Sequence, residues 1–193
     1  MSETMPTGQI GDLSQLAGDW ALDPAHTSVQ ISVRHMMVAT VRGRMHALRG
    51  QLHIDGDDPL NKSRVEVEFD PSTVDTGNPD RDGHLKAADF LDVENHPTLK
   101  FVSTAIEDKG DGQYDVRGDL TIRGATRPAV LEVEFGGVVR DPWGNDRMGF
   151  STTTTIERSD FGLTWNAAME GGGVVLADKM KAAIDAEFTR AGS

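Results

Sequence analysis

The sequence predicts an all-β domain, an antiparallel sandwich or barrel with one short helix. Three observations carry that prediction. Apolar residues recur at every second position through run after run, the period of a strand with one buried face. Turn-forming segments separate the runs: DGDDP at 55–59, DKGDG at 108–112 and DPWG at 141–144. One stretch, 78–104, breaks the period and then restores it. Many strands, tight turns and one enclosed apolar face describe a single core. A closed barrel of about eight strands is just wide enough to be filled by side chains or to hold one small ligand.

The elements follow in order. Residues 1–17 are polar and contain glycine, and are read as a flexible N-terminal tail before a domain spanning 18–190. Trp20 to Leu22 is a first short strand, turned at Asp23 and Pro24. Val29, Ile31 and Val33 then alternate with Gln30, Ser32 and Arg34. Val41, Gly43 and Met45 open another run, and Leu48, Gly50, Leu52 and Ile54 continue it on the other parity. That shift predicts a bulge or bend near His46 and Ala47. Val65, Val67 and Phe69 form a strand expected to end at Asp70 and Pro71. Leu99, Phe101 and Ser103 make the next. Tyr114, Val116, Gly118, Leu120 and Ile122 follow, then Leu131, Val133 and Phe135, then Met148, Phe150, Thr152, Thr154 and Ile156. Gly171 to Gly173 read as a loop. The last run, 174–188, has helix-forming composition. Yet Met180, Ala182, Ile184, Ala186 and Phe188 alternate strictly, as in a strand. The residues alone leave that choice open.

The interrupting stretch reads as a helix with its own charged cluster. Pro79 suits the first helical position, where its missing N–H would be unpaired anyway. Asn78 is a good N-cap, and Asp80 and Asp82 sit in the first turn, where the helix dipole favours negative charge. Leu85, Ala88, Phe90 and Leu91 supply a short apolar stripe. His96 before Pro97 ends any helix, because the residue preceding proline is pushed to extended geometry.

Composition removes several function classes. The chain has 193 residues and no cysteine, so disulfides and thiolate metal sites are absent. Net charge is −12, from 31 acidic and 19 basic residues. That balance argues against nucleic acid and anionic membrane surfaces, which require basic patches. No run approaches the ~18 apolar residues of a membrane helix, so no membrane span is expected. The N-terminal segment lacks the basic region and apolar run of a secretory signal, which leads to a cytoplasmic expectation. There is no G-x-S-x-G elbow, GxGxxG or Walker pattern, so neither a catalytic nucleophile nor a cofactor is expected. His26 and His35 flank the first long strand at a spacing that matches no metal motif.

Five segments resemble the YceI-like family: LDPAHTSVQISVRHMMVATVRGRM (22–45), TGNPDRDGHLKAADFLDVENHP (76–97), LTIRGATRP (120–128), ERSDFGLTWN (157–166) and VVLADKMKAAIDAEF (174–188). Together they span nearly the whole chain. The resemblance implies a lipocalin-like antiparallel β-barrel of about eight strands with a short helical insertion. It implies that the final segment is a strand. It further implies carriage or sequestration of a long apolar chain, a polyisoprenoid or a prenylated quinone, inside the barrel, and a homodimer. Many members are periplasmic, from which this chain departs in lacking a recognisable signal. Ile31 and Met45 stand where the family commonly has phenylalanine.

The candidate ligand-binding residues follow from parity and from this resemblance. Val29, Val33, Val67, Phe69, Phe101, Tyr114, Val116, Leu120, Val133, Phe135, Phe150 and Ile156 are expected to point inward, with Leu131 and Ile184 beside them. The bland alternative is ordinary core. Arg81 and His84, with Asp82, are either a polar mouth for the ligand head or a capped helix tied to the barrel. Two other functional readings stand beside the carrier: an enzyme acting on such a lipid at the mouth, and a ligand-free interaction module.

Overall fold

The computed structural model describes residues 13–168 and 173–190. Nine strands form one antiparallel sheet: β1 (Gly18–Leu22), β2 (Ser28–His35), β3 (Ala39–Ile54), β4 (Arg64–Asp75), β5 (Leu99–Gly110), β6 (Gln113–Ile122), β7 (Ala125–Arg140), β8 (Asp146–Glu157) and β9 (Leu176–Arg190). Two short helices interrupt them, α1 (Pro59–Lys62) and α2 (Pro79–Lys86). From β2 to β9 each strand pairs with the next in sequence, and β9 pairs back onto β2. The sheet is therefore a closed up-and-down barrel of eight staves, of which β1 and β2 share one. β2 pairs with the first half of β3 and with residues 176–185 of β9. Past a turn at Pro24–His26, β1 takes over that gap, pairing Gly18–Ala21 with the end of β3 and Trp20–Leu22 with Phe188–Arg190. Closure leaves no long sheet edge, the usual route to unwanted strand pairing.

The strand irregularities have local causes. The parity shift inside β3 appears as register breaks against β4 between Arg44 and His46 and between Ala47 and Arg49. β4 does not end at Pro71, as the sequence suggested, but runs on to Asp75. Proline cannot donate to a ladder, and here it falls in the bulge between the Asp70–His46 and Asp75–Arg44 pairs. Pro71 is fully buried there. β9 is a strand throughout its length, paired on one side with β2 and on the other with β8. Its strict alternation places Met180, Ala182 and Ile184 on the inner face; with a partner on each side, tertiary pairing outweighs helix propensity.

α2 begins as the sequence indicated. Asn78 Oδ1 accepts from Arg81 N at 3.1 Å, and Pro79 opens the helix. It stops at Lys86, earlier than the apolar stripe implied. Phe90 and Leu91 reach the core from the irregular turns that follow, where Asp92 adopts a positive φ of 51°. Residues 1–12 of the expected tail lie outside the described residues, as do Gly171 and Gly172. Leu13–Leu16 forms a single 3-10 turn whose Leu16 carbonyl accepts from Trp20 Nε1 at 3.0 Å.

α2, the β2–β3 turn and residues 158–168 and 173–175 gather at one end of the barrel. α1, β1 and the β7–β8 turn gather at the other. The second end is tightly packed: Trp20, Ile54, Met148 and Phe188 are buried there, and Arg190 lies over the Trp20 ring at 4.3 Å.

Candidate ligand-binding cavity

A cavity of about 410 Å³ occupies the barrel interior. That is within the ~300–1,000 Å³ usual for small-molecule sites. Its wall is built from the inner parity of every barrel stave. Val29 and Val33 come from β2, Val67 and Phe69 from β4, and Phe101 from β5. Tyr114, Val116 and Leu120 come from β6, Leu131 and Val133 from β7, Phe150 and Ile156 from β8, and Ile184 from β9. Arg81 and His84 line it at the α2 end. Phe135 does not reach the lining. It sits on the β7 bulge with its ring 5.5 Å from Phe150 and packs into the core behind it.

The wall is apolar even where the sequence is not. Thr152 Oγ1 donates to Glu132 O at 2.7 Å, and Thr154 Oγ1 donates to Val130 O at 3.2 Å. Both hydroxyls are thus spent on the β7 backbone. Ser103, fully buried on β5, accepts from Val65 N at 2.9 Å. Tyr114 remains as a polar handle inside; burial, with the nearby Asp108 carboxylate, pushes its hydroxyl above the ordinary phenol range. Gly118 makes room for the wall: a Cβ there would stand 2.5 Å from the Phe101 ring and 2.4 Å from Val102 O.

The mouth is braced by its own polar groups. Arg81 Nε donates to Thr76 Oγ1 at 2.7 Å, and Nη2 donates to Thr76 O at 3.0 Å. Asp82 accepts from Thr76 N at 2.9 Å and from Thr76 Oγ1 at 2.5 Å. Arg81 and Asp82 therefore both converge on Thr76 and fasten α2 to the end of β4. Arg81 is nonetheless exposed and lines the cavity, and its Nη1 has no described partner. His84 Nε2 lies 2.9 Å from Asp89 Oδ2, and its ring meets Trp165 edge-on at 4.6 Å.

Sequence reasoning missed two features here. Trp165 lines the mouth from an irregular loop, where no periodicity marks it. Arg158 is buried and donates to the carbonyls of Ala177 at 3.0 Å, Trp165 at 2.8 Å and Leu176 at 3.3 Å, and also to Leu163 O. Burial lowers its pKa, with Asp178 opposing. Arg158 thereby ties Leu163 and Trp165 to Leu176 and Ala177 across the barrel end. In sequence it reads as a polar residue closing a strand.

At the opposite end, Asp23, His26 and Glu187 bring ligand-type atoms within 4.8 Å of one another. The Arg147 guanidinium occupies that cluster, bonded to Asp23 at 3.0 Å and to Glu187, while its Nε holds Asp141 at 2.8 Å. It is an ion-pair network.

The model of the YceI-like domain matches residues 20–188. The chain belongs to the YceI-like family. A UPF0312 protein of Vibrio cholerae is 40% identical over 151 residues, covering 76% of this chain and 78% of that protein. One of Ectopseudomonas mendocina is 37% identical over 151 residues, 77% and 78% of the two chains. Among solved structures, the Campylobacter jejuni YceI protein superposes with a TM-score of 0.65 at 26% identity, over 81% of this chain and 89% of that one. Two more distant structures share the fold. Burkholderia cenocepacia BcnA has a TM-score of 0.71 at 20% identity, over 86% and 98% of the two chains. A polyisoprenoid binding domain from Saccharophagus degradans has 0.66 at 11%, over 89% and 98%. The YceI-like chain described here is thus a lipocalin-like antiparallel barrel. No helix among its described residues is long and apolar enough to cross a membrane.

Proposed function

We propose that this YceI-like protein is a carrier or sequestering protein, not an enzyme, for one long apolar chain of the polyisoprenoid or prenylated-quinone type. The observation that carries the reading is the interior cavity, whose threonine hydroxyls are bonded to backbone so that methyl and aromatic groups face the space. The polyisoprenoid binding domain among its structural neighbours supports the same reading.

The energetics favour a chain over a compact polar ligand. Each buried CH₂ contributes about 0.8 kcal/mol, so a chain of ~20 carbons gains ~16 kcal/mol gross. Lost freedom and ordering remove about 4–15 kcal/mol. Where that cost stays below about 8 kcal/mol, micromolar or tighter binding follows without a specific polar anchor. A charged or polar head stays at the α2 mouth, where its desolvation is avoided. There Arg81 Nη1 and the edge of His84 are the groups that can meet a phosphate or quinone oxygen. Extraction of the freshly purified protein followed by lipid mass spectrometry tests the proposal. The carrier reading expects one class of long-chain lipid in stoichiometric amount. An interior free of lipid, with no uptake of added polyprenol or ubiquinone, overturns it.

A further inference from the structure

The β2–β3 turn exposes apolar side chains beside the cavity mouth. Met36 is 41% exposed, Met37 60% and Val38 82%. Both methionines lie in the left-handed region, with φ of 48° and 60°, and Val38 N donates to His35 O at 3.1 Å. Tight hairpins supply such a pair of positive φ values with Asn and Gly, which adopt them at little cost. Methionine bears a cost in conformation and a second in exposed apolar surface, and neither serves the turn itself. The turn is also anchored: Met36 N donates to Val175 O at 2.7 Å, and Arg34 Nη2 donates to Met37 O at 2.5 Å. Its flanks, Val33, His35, Val41 and Val175, line the cavity. The cavity lining therefore reaches the base of the tip.

The outer wall beneath the tip carries four cations, against the acidity of the whole chain, with Glu157 in register opposite Lys179. Arg34, Arg42, Lys179 and Lys181 lie on the outward parity of β2, β3 and β9, and none is ion-paired with a described residue within 4.0 Å. They sit roughly two to five residues down strands that rise about 3.3 Å per residue, hence about 7–16 Å from the tip. An apolar tip with cations set back by that depth matches the acyl region and phosphate layer of a lipid leaflet. Three side chains on a narrow turn offer far less than the ~800 Å² per partner of a stable protein interface.

We propose that the Met36–Val38 tip docks on a lipid bilayer surface and sets the cavity mouth against the membrane from which the apolar chain is taken. The inference rests on the carrier reading for its purpose but not for its test. Flotation with vesicles of phosphatidylcholine containing about one-fifth phosphatidylglycerol measures docking directly. The variant is Met36→Asn/Met37→Gly/Val38→Thr, which gives the turn residues suited to its geometry and so preserves the fold. The wild type is expected to float with the vesicles, more weakly in high salt, and the variant to partition about tenfold less. Equal partitioning of the two, or no wild-type association, overturns the docking. Lipid extraction from both proteins separates the two proposals. The same bound lipid in each, with flotation lost in the variant, supports docking. Tip-dependent flotation of a protein that carries and takes up no lipid upholds docking and overturns the carrier.

Discussion

Phe101 and Gly118 act as one unit on neighbouring strands: the phenyl ring of β5 lies where a β6 side chain would otherwise stand. Gly118→Val is expected to destabilise by about 1–3 kcal/mol through overpacking, read as a lowered urea midpoint, and to push the Phe101 ring into the cavity. A midpoint equal to wild type would mean the wall yields at no cost. Arg81 braces the mouth through Nε and Nη2, and in the proposed complex its Nη1 would meet the ligand head. Because Thr76 already holds two of its nitrogens and the residue is exposed, Arg81→Ala should weaken ligand binding by only about 0.5–1.5 kcal/mol. Titration of a fluorescent prenyl analogue into folded variant checks this; unfolding of the variant would assign Arg81 to structure alone. Inner-face residues such as Val67, Val116 and Phe150 were legible in the sequence because parity alone puts them on one side of a strand. Phe135 has the same parity and stands in register with Phe150, yet its ring packs on Phe150 rather than on the open space, a contact that depends on how β8 pairs. Arg158 was illegible for a related reason: its partners are carbonyls as far as 19 residues away.

Among the elements, α2 and β9 contrast in how local their causes are. α2 was visible through its cap, its proline and its first-turn acids, all within a few residues. Asn78→Ala is expected to cost about 1 kcal/mol and to loosen the mouth, seen as faster amide exchange over 79–86 with the exchange of β7 and β8 unchanged. Uniform exchange changes would count against a local cap. The end of α2 was less visible, since Phe90 and Leu91 continue an apolar spacing while the chain has already left the helix. β9 carried two conflicting signals, and only its neighbours on both sides decide between them. The sequence-based end of β4 failed at Pro71 because a proline is tolerated where a bulge removes the need for its donor.

At the scale of the molecule, closure joins elements far apart in sequence, and the Arg147 network fastens that closure near Asp23 and Glu187. Burial works to raise the Asp141 carboxyl, but the Arg147 side chain and the Asn145 and Trp143 amides outweigh it and hold the group well below the ordinary carboxylate range. Asp23 is lowered in the same way, burial being outweighed by His26, Arg147 and the Ala25 amide. A depressed carboxylate stabilises the fold above its unfolded pKa of about 3.9 and loses that contribution as pH falls toward the folded value. Urea midpoints should therefore fall below about pH 4, and Asp141→Asn should flatten that fall. An unchanged slope would remove Asp141 from the account. The family resemblance also leads us to expect a homodimer. Closure removes the open sheet edge as its contact and leaves exposed apolar groups such as Val139 and Trp143 on the β7–β8 hairpin. Light scattering should give a two-chain mass, and a one-chain mass at tens of micromolar would contradict it. The central claim, an apolar chain held inside the barrel, is tested most directly by native mass spectrometry of freshly purified wild type and Phe101→Asp, with circular dichroism showing both folded. The account predicts one bound long-chain lipid per wild-type protomer and none in Phe101→Asp, because an unpaired carboxylate on the buried wall cannot be solvated there. Folded Phe101→Asp protein carrying the same lipid would contradict it.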